Sequence, residues 1–293
     1  MSNAHARAWL GPSLLVAGAL CIGFAPIGLR LSAFGPQATG FWRYVFALPI
    51  LAGMILATAG RIRPPNTFAL IAGVFFGLDI AFWHASLHYT SVANATFLVN
   101  LGNAAVGLLA WVFLAQKPAR TWFFALPVAL AGALLLSRGA HQAGAGLSGD
   151  LLALVAALMV GLYFFFATLA RRTSTALEVM FWSTVVEAVV GLAASLSFHE
   201  TLIPPHPAWF VMPILLAVGV HATGQSLIVA GAGRTPASAA GVLLLLQPVA
   251  AGLIAWPLFH EELTSIQLAG AGLILIGVWL TRSQSAERAS SSR

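Results

Sequence analysis

The stretch Gly107-Leu108-Leu109-Ala110-Trp111 recurs 145 residues later as Gly252-Leu253-Ile254-Ala255-Trp256. The surrounding residues 90–137 and 235–282 align at the same offset without a gap. Self-similarity at one fixed offset is the signature of a repeated structural unit. The sequence therefore predicts that the chain consists of two related halves.

The composition restricts the class of protein. Of the 293 residues, 59% are hydrophobic and only 8% are charged, whereas soluble domains average roughly 45–50% and about 25%. So few charges cannot cover a soluble body of this size. The low polarity also excludes a disordered chain, and the single cysteine, Cys21, excludes a disulfide scaffold. The sequence predicts an all-α, polytopic membrane protein.

Ten apolar stretches are long enough to be membrane helices, each of which needs about 20 residues. Their continuous apolar character favours helices over the alternating strands of a barrel. The predicted spans are residues 9–29, 37–59, 68–89, 92–114, 121–136, 150–170, 176–198, 208–230, 236–259 and 265–281.

The basic residues predict the orientation. The net charge of +6 is not a nucleic-acid signal, because the basic residues occur singly or in pairs and form no stripe. With a cytoplasmic N-terminus, 11 of the 14 lie on the inside, and only Arg30 and Arg138 lie at outer ends. The positive-inside rule then predicts a multi-pass protein with both termini in the cytoplasm, and we expect it in the bacterial inner membrane.

Each half contains five predicted spans, and an odd number inverts the second half relative to the first. Residues 1–138 are predicted to form the first repeat and residues 150–282 the second. Residues 139–149 are a predicted linker, and residues 283–293 a disordered cytoplasmic tail. The charges agree, because Lys117 on the predicted inside aligns with Glu262 on the predicted outside.

Several motifs resemble the drug/metabolite transporter superfamily, and the second half is similar to its EamA-type repeat. Phe41-Trp42-Arg43 stands at the start of the second span, and Phe41-Trp42 recurs as Phe181-Trp182. The motifs of the second repeat are Thr235-Pro236-Ala237-Ser238, Leu246-Gln247-Pro248, Trp256, Glu261-Glu262-Leu263-Thr264, Gly270 and Gly277. The first repeat begins its fourth span with Thr90-Ser91 but departs from the family at Ile22-Gly23, Asn103 and Gln116-Lys117.

The resemblance implies a ten-helix exporter of small metabolites, with a general likeness to bacterial aromatic amino-acid exporters of the YddG type. It implies a central cavity between the halves, lined by spans one, three, four, six, eight and nine. Transport would proceed by alternating access as the halves rock. We expect bending at Pro and Gly residues within spans, namely Gly23, Pro26, Pro213, Gly224 and Pro248.

Ionisable residues inside spans are costly and therefore mark candidate sites. Asp79 and Glu187 lie near the middle of spans three and seven. Each is either a coupling site for protons or a carboxylic acid hydrogen-bonded between helices. The predicted substrate-binding residues are Phe24, Asp79, Trp83, His84, Asn100, Asn103, Tyr163, Phe164, Trp182, His221, Gln225 and Gln247. The alternative for the aromatic residues is packing, and for the asparagines hydrogen bonding between helices.

The substrate class is predicted partly from what the spans lack. No Lys or Arg lies near a span centre, which disfavours phosphorylated substrates and favours a neutral or zwitterionic one of mixed apolar character. Arg43, just inside span two, either reaches to the membrane surface or pairs with an unidentified carboxylate. His84 and His88 have the spacing of metal ligands, but no third ligand is evident, so neither metal nor cofactor is expected.

Two other classes of function were weighed against a transporter. Gly146-Leu147-Ser148-Gly149 matches the Gly-x-Ser-Gly of rhomboid proteases, but Ser148 is better interpreted as a helix cap. No filter motif indicates a channel, and no P-loop indicates ATP hydrolysis. The sequence therefore predicts a secondary transporter rather than an enzyme. Exporters of drugs, purines or other neutral metabolites remain the alternative, and the oligomeric state is open.

Overall fold

A computed structural model of the protein describes residues 2–90, 92–138, 147–259 and 264–281. This part of the chain is helical and contains no β-strand, which confirms the all-α prediction. The predicted tail at 283–293 and most of the predicted linker, residues 139–146, lie outside the described residues.

The first half contains α1 to α6. The helices are α1 (Ser2–Ile22), α2 (Ala25–Leu31), α3 (Pro36–Ala59), α4 (Thr67–Ser86), α5 (Val92–Leu114) and α6 (Trp122–Arg138). Helix α4 begins where the side chain of Asn66 accepts a hydrogen bond from the amide of Phe68 at 2.8 Å, the usual role of an N-cap residue.

The second half contains α7 to α13. The helices are α7 (Leu147–Ala170), α8 (Ala176–Ser197), α9 (Val211–Leu215), α10 (Ser226–Ala232), α11 (Ala237–Leu244), α12 (Leu246–Phe259) and α13 (Ser265–Leu280). A short 3-10 helix (Pro207–Phe210) precedes α9, and a π-helix (Leu216–Gln225) joins α9 to α10. Thr175 and Thr264 each form a capping box, with Glu178 and Gln267, at the start of α8 and α13.

Eight helical segments of the described chain are long and apolar enough to cross a membrane. They coincide with eight of the ten predicted spans. The other two predicted spans, at 121–136 and 265–281, correspond to the shorter apolar helices Trp122–Ser137 and Ser265–Leu280. Ten membrane crossings, their orientation and the inversion of the halves therefore stay predictions.

Two spans are interrupted, each four residues before a proline. Helix α1 ends at Ile22, four residues before Pro26, and α11 ends at Leu244, four residues before Pro248. A proline has no amide hydrogen to donate to the carbonyl four residues earlier, which weakens the helix there, although other prolines of the chain lie inside unbroken helices. The corresponding position of the first repeat is Asn103, which keeps its amide hydrogen, and α5 runs through it without a break.

The backbones of helices α6 and α13 approach each other closely where the two helices cross. A Cβ atom added to Gly132 would lie 2.6 Å from the carbonyl oxygen of Gly270, and one added to Gly270 would lie 2.6 Å from the carbonyl oxygen of Gly132. Small residues allow helices to approach closely in a membrane, where packing rather than the hydrophobic effect holds them together. These two glycines therefore fix the contact between the fifth and tenth predicted spans.

We predict that Gly270→Ala lowers the free energy of unfolding by about 1–3 kcal/mol, because the added methyl group meets backbone that cannot rotate away. The matched control is Gly272→Ala in the same helix, where an added Cβ meets nothing within 4 Å. Thermal unfolding of the purified protein in detergent measures both. A melting temperature for Gly270→Ala equal to that of Gly272→Ala would contradict the close crossing.

Candidate functional site

A cavity of about 110 Å³ lies where the two halves meet. A single water needs roughly 10–15 Å³, so the space holds several waters or part of a small molecule. The first, third, fourth, sixth, eighth and ninth predicted spans border it, as the resemblance implies, and span two adds Arg43. No residue of α6 or α13 borders it.

The cavity brings together eight of the twelve predicted substrate-binding residues. They come from five of the predicted spans, in both halves of the chain. The eight are Asp79, Trp83, Asn100, Asn103, Phe164, His221, Gln225 and Gln247. Most of its other wall residues are apolar, and Phe76 adds an aromatic ring.

The other four predicted residues lie outside this cavity. Phe24 lies at the interruption between α1 and α2. His84 is buried beside a smaller void of about 10 Å³ that Arg43 and Trp83 also border. Tyr163 is fully buried, and its hydroxyl accepts a hydrogen bond from Gln225 Nε2 at 2.8 Å. It therefore positions a cavity residue rather than bordering the cavity itself.

The two conspicuous tryptophans of the Phe-Trp motif make reciprocal contacts. Trp182 Nε1 donates to the carbonyl oxygen of Arg63 at 3.0 Å, and Trp42 Nε1 donates to the carbonyl oxygen of Leu202 at 2.9 Å. Each tryptophan thus ties one half to a loop of the other half, at opposite ends of the packed pair α3 and α8. Trp182 serves this contact instead of the deep cavity position expected from the sequence.

Arg43 borders the cavity, and the structure excludes one of the two alternatives given for it by the sequence. Its side chain does not reach the membrane surface, because the residue is 5% exposed and borders the cavity. Nη2 donates to the Tyr44 hydroxyl at 2.9 Å, and the guanidinium lies 4.8 Å from the centre of the Tyr44 ring. The cavity is therefore bordered by a cation. The absence of Lys and Arg near span centres no longer disfavours a substrate with an anionic group.

The predicted asparagines hydrogen-bond within their own helix. Asn103 Nδ2 donates to Asn100 Oδ1 at 2.9 Å, and Asn100 Nδ2 donates to the carbonyl oxygen of Thr96 at 2.7 Å. The bonds expected between helices are thus replaced by a ladder along one side of α5. This ladder presents polar groups to the cavity at the level where the opposite repeat has Gln247 and Pro248.

Glu187 and His221 form a buried pair next to the cavity. His221 Nε2 lies 3.3 Å from Glu187 Oε2 and 2.7 Å from Thr184 Oγ1. Glu187 is 0% exposed and His221 is 1% exposed. His221 belongs to the π-helix, a geometry that often occurs at functional sites, and it also borders the cavity. One imidazole therefore contacts Glu187 and borders the cavity.

No cluster of three potential metal ligands occurs in the part of the chain that the structure describes. Ser148 of the protease-like motif lies in the first turn of α7, together with Asp150. The cavity and the buried groups beside it are therefore the candidate site.

The chain is similar in sequence to a family of transporters and to two uncharacterized transporters. The profile of the EamA-like transporter family matches residues 9–138 and again residues 147–283. An uncharacterized transporter of Archaeoglobus fulgidus is 25% identical over 268 residues, which cover 92% of this chain and 94% of that one. YwfM, an uncharacterized transporter of Bacillus subtilis, is 26% identical over 197 residues, 64% of each chain.

The fold also has a counterpart among solved structures. One crystal structure superposes with a TM-score of 0.82, and the match covers 94% of this chain and 98% of the other. The two sequences are 18% identical, so this likeness bears on the fold alone.

We predict that the cavity admits water and that the exposed face of α6 does not. In a Cys21→Ser background, Ala251→Cys at the cavity should react with a charged methanethiosulfonate at least about tenfold faster than Ala131→Cys, because the reactive thiolate forms only where water reaches. Ala251 borders the cavity, and Ala131 is exposed in the middle of α6. Labelling in proteoliposomes, followed by mass spectrometry, measures the rates, and equal rates would contradict a hydrated cavity.

Proposed function

Because this chain belongs to the EamA-like transporter family of the drug/metabolite transporter superfamily, we propose that it is a secondary transporter that exports aromatic or other hydrophobic amino acids. The chain is a multi-pass membrane protein with transporters as its relatives. The proposed location is the bacterial inner membrane, with both termini in the cytoplasm.

One observation carries the proposed substrate. The cavity combines an apolar and aromatic wall with a small number of charged and amide groups. Phe76, Trp83 and Phe164 supply rings that pack favourably against a flat substrate. Arg43 and Asp79 supply opposite charges in the same space. An aromatic amino acid has the matching parts, namely an apolar ring and a head group that carries both charges.

Alternating access between the halves is the proposed mechanism. The interruptions at Gly23-Phe24 and at Leu245 fall in the two spans that border the cavity with Pro26 and Pro248. Broken helices whose ends face the substrate are common in transporters with inverted repeats. We propose that these interruptions absorb the bending as the cavity changes the side of the membrane to which it opens.

Proton coupling is proposed for Glu187, with Asp79 as the second candidate. The contact of Glu187 with His221 supports this choice, because the imidazole touches both the carboxylate and the cavity. Chains of carboxylates and histidines carry protons through many membrane transporters. Export of substrate would then accompany movement of a proton in the opposite direction.

The exporter proposal predicts saturable counterflow of labelled Trp, Phe and Tyr in proteoliposomes loaded with the unlabelled amino acid. Exchange that saturates indicates a carrier, and exchange that rises linearly with concentration indicates a channel. The control is empty liposomes carrying the same lipid. Absence of exchange for all three amino acids would overturn the proposed substrate class, and the same assay with purines and cationic drugs would then identify the alternative.

Coupling predicts that an imposed pH gradient changes the rate of Phe uptake by the wild type. In Glu187→Gln the rates with and without the gradient should become equal, because the amide side chain carries no titratable proton. Asp79→Asn tests the second candidate in the same way. Asp150→Asn, an acid at the start of α7, should still respond like the wild type. A response that persists in both Glu187→Gln and Asp79→Asn would contradict coupling through these groups.

A further inference from the structure

Polar atoms without hydrogen-bond partners gather on one wall of the cavity. Arg43 Nε, Asp79 Oδ1 and Trp83 Nε1 are all buried and lack a partner among the described residues. The three residues are 5%, 2% and 8% exposed, and all three border the cavity. His84 Nδ1, beside the smaller void shared by Arg43 and Trp83, is a fourth such atom.

This concentration points to a polar ligand that enters the cavity. A buried donor or acceptor without a partner costs free energy, and folded proteins keep very few of them. Three such atoms border a single cavity, and a polar molecule that enters the cavity can hydrogen-bond to them. The neighbouring amides differ, because Asn103 Nδ2 donates to Asn100 Oδ1 and Asn100 Nδ2 donates to the carbonyl oxygen of Thr96.

The chemistry of the three atoms defines what the ligand must present. Arg43 Nε and Trp83 Nε1 carry hydrogens and only donate, so they need an acceptor. Asp79 Oδ1 only accepts when the carboxyl group is ionised, and in that state it needs a donor. Beside a guanidinium the acceptor that binds most strongly is an anion such as a carboxylate. Beside a carboxylate the strongest donor is a cation such as an ammonium group.

The contact with Tyr44 keeps the guanidinium available for this role. One of its terminal nitrogens is bonded to the Tyr44 hydroxyl, and the group lies over the Tyr44 ring. These contacts fix the plane of the guanidinium but leave Nε without a partner. Among the residues that the structure describes, no carboxylate lies within 4 Å of the guanidinium. Asp79 and Glu187 interact with the guanidinium electrostatically from a longer distance, so a ligand carboxylate can still form the direct ion pair.

We infer that Arg43 and Trp83 bind the carboxylate of the substrate and that Asp79 binds its ammonium group, so that the carrier selects zwitterions by recognising both charges. This inference rests on the proposed function and adds the residues that determine specificity. The apolar wall formed by Phe76 and Phe164 then remains for the side chain of the amino acid.

The test uses three probes that differ only in their charged groups: L-phenylalanine, 3-phenylpropionate, which lacks the ammonium, and 2-phenylethylamine, which lacks the carboxylate. Ligand-dependent thermal stabilisation of the purified full chain gives a dissociation constant for each. The wild type should bind L-phenylalanine at least about tenfold more tightly than either of the others, because each deletion leaves a buried charged group unpaired.

The variants should separate the two charges. Arg43→Gln should weaken L-phenylalanine and 3-phenylpropionate by about tenfold or more and leave 2-phenylethylamine unchanged. Asp79→Asn should weaken L-phenylalanine and 2-phenylethylamine and leave 3-phenylpropionate unchanged. Arg30→Gln is the matched control, because Arg30 is exposed and lies over the Phe259 ring, away from the cavity.

The ratio of two dissociation constants within one variant does not depend on how much of the protein is folded. If Arg43→Gln fails to fold, Arg43→Lys keeps the charge but not Nε, and it should weaken 3-phenylpropionate relative to 2-phenylethylamine. Loss of all three probes in equal proportion, or of none, would overturn the inference while wild-type counterflow persists. A wild type that neither binds nor exchanges any amino acid would overturn the proposed function and this inference with it.

Discussion

The absence of water inside a bilayer is the constraint from which this structure follows. Every backbone and side-chain polar group that crosses the hydrocarbon must find its partner within the protein. Continuous helices meet the requirement for the backbone. The polar side chains must then lie inside the protein. Asp79, Asn100 and Gln225 all border the cavity between the halves.

The same constraint gives the prolines their importance. Pro26 and Pro248 each remove one amide donor from a membrane helix, and in both cases the helix ends four residues earlier. Such breaks are tolerated at membrane depth where they border a cavity rather than lipid. The breaks and the charged groups therefore lie together, because the same space accommodates both.

The sequence predicted the helical class, the family and eight of the residues that border the cavity. The long apolar runs specify the helices. The polar residues within these helices avoid lipid only if they lie in the interior of the protein. The position of Arg43 was not predictable, because a long side chain near a span end can reach either the surface or the interior. The hydrogen bond to Tyr44 in the same helix and the packing of α3 against neighbouring helices decide between these directions. The π-helix around His221 likewise has no local sequence signal, since it depends on the packing of this π-helix against α1 and α3.

Trp182 shows the opposite limit. Its depth along the span suggested a cavity residue, but its indole hydrogen bonds to the carbonyl oxygen of Arg63. The pseudo-symmetric bond from Trp42 to Leu202 shows that this contact is a property of the repeated motif. A comparison of the two halves could have found it, because the two loops occupy corresponding positions.

The replacement of proline by Asn103 in the first repeat affects which conformation an empty carrier of this kind prefers. Two identical inverted halves would make the two end states of the transport cycle mirror images, with equal populations in a symmetric membrane. Here one half has an unbroken α5 and the other a break between α11 and α12. With the halves inverted as proposed, the two end states are no longer energetically degenerate. An empty carrier then dwells longer on one side of the membrane, and its affinity for substrate differs between the two faces.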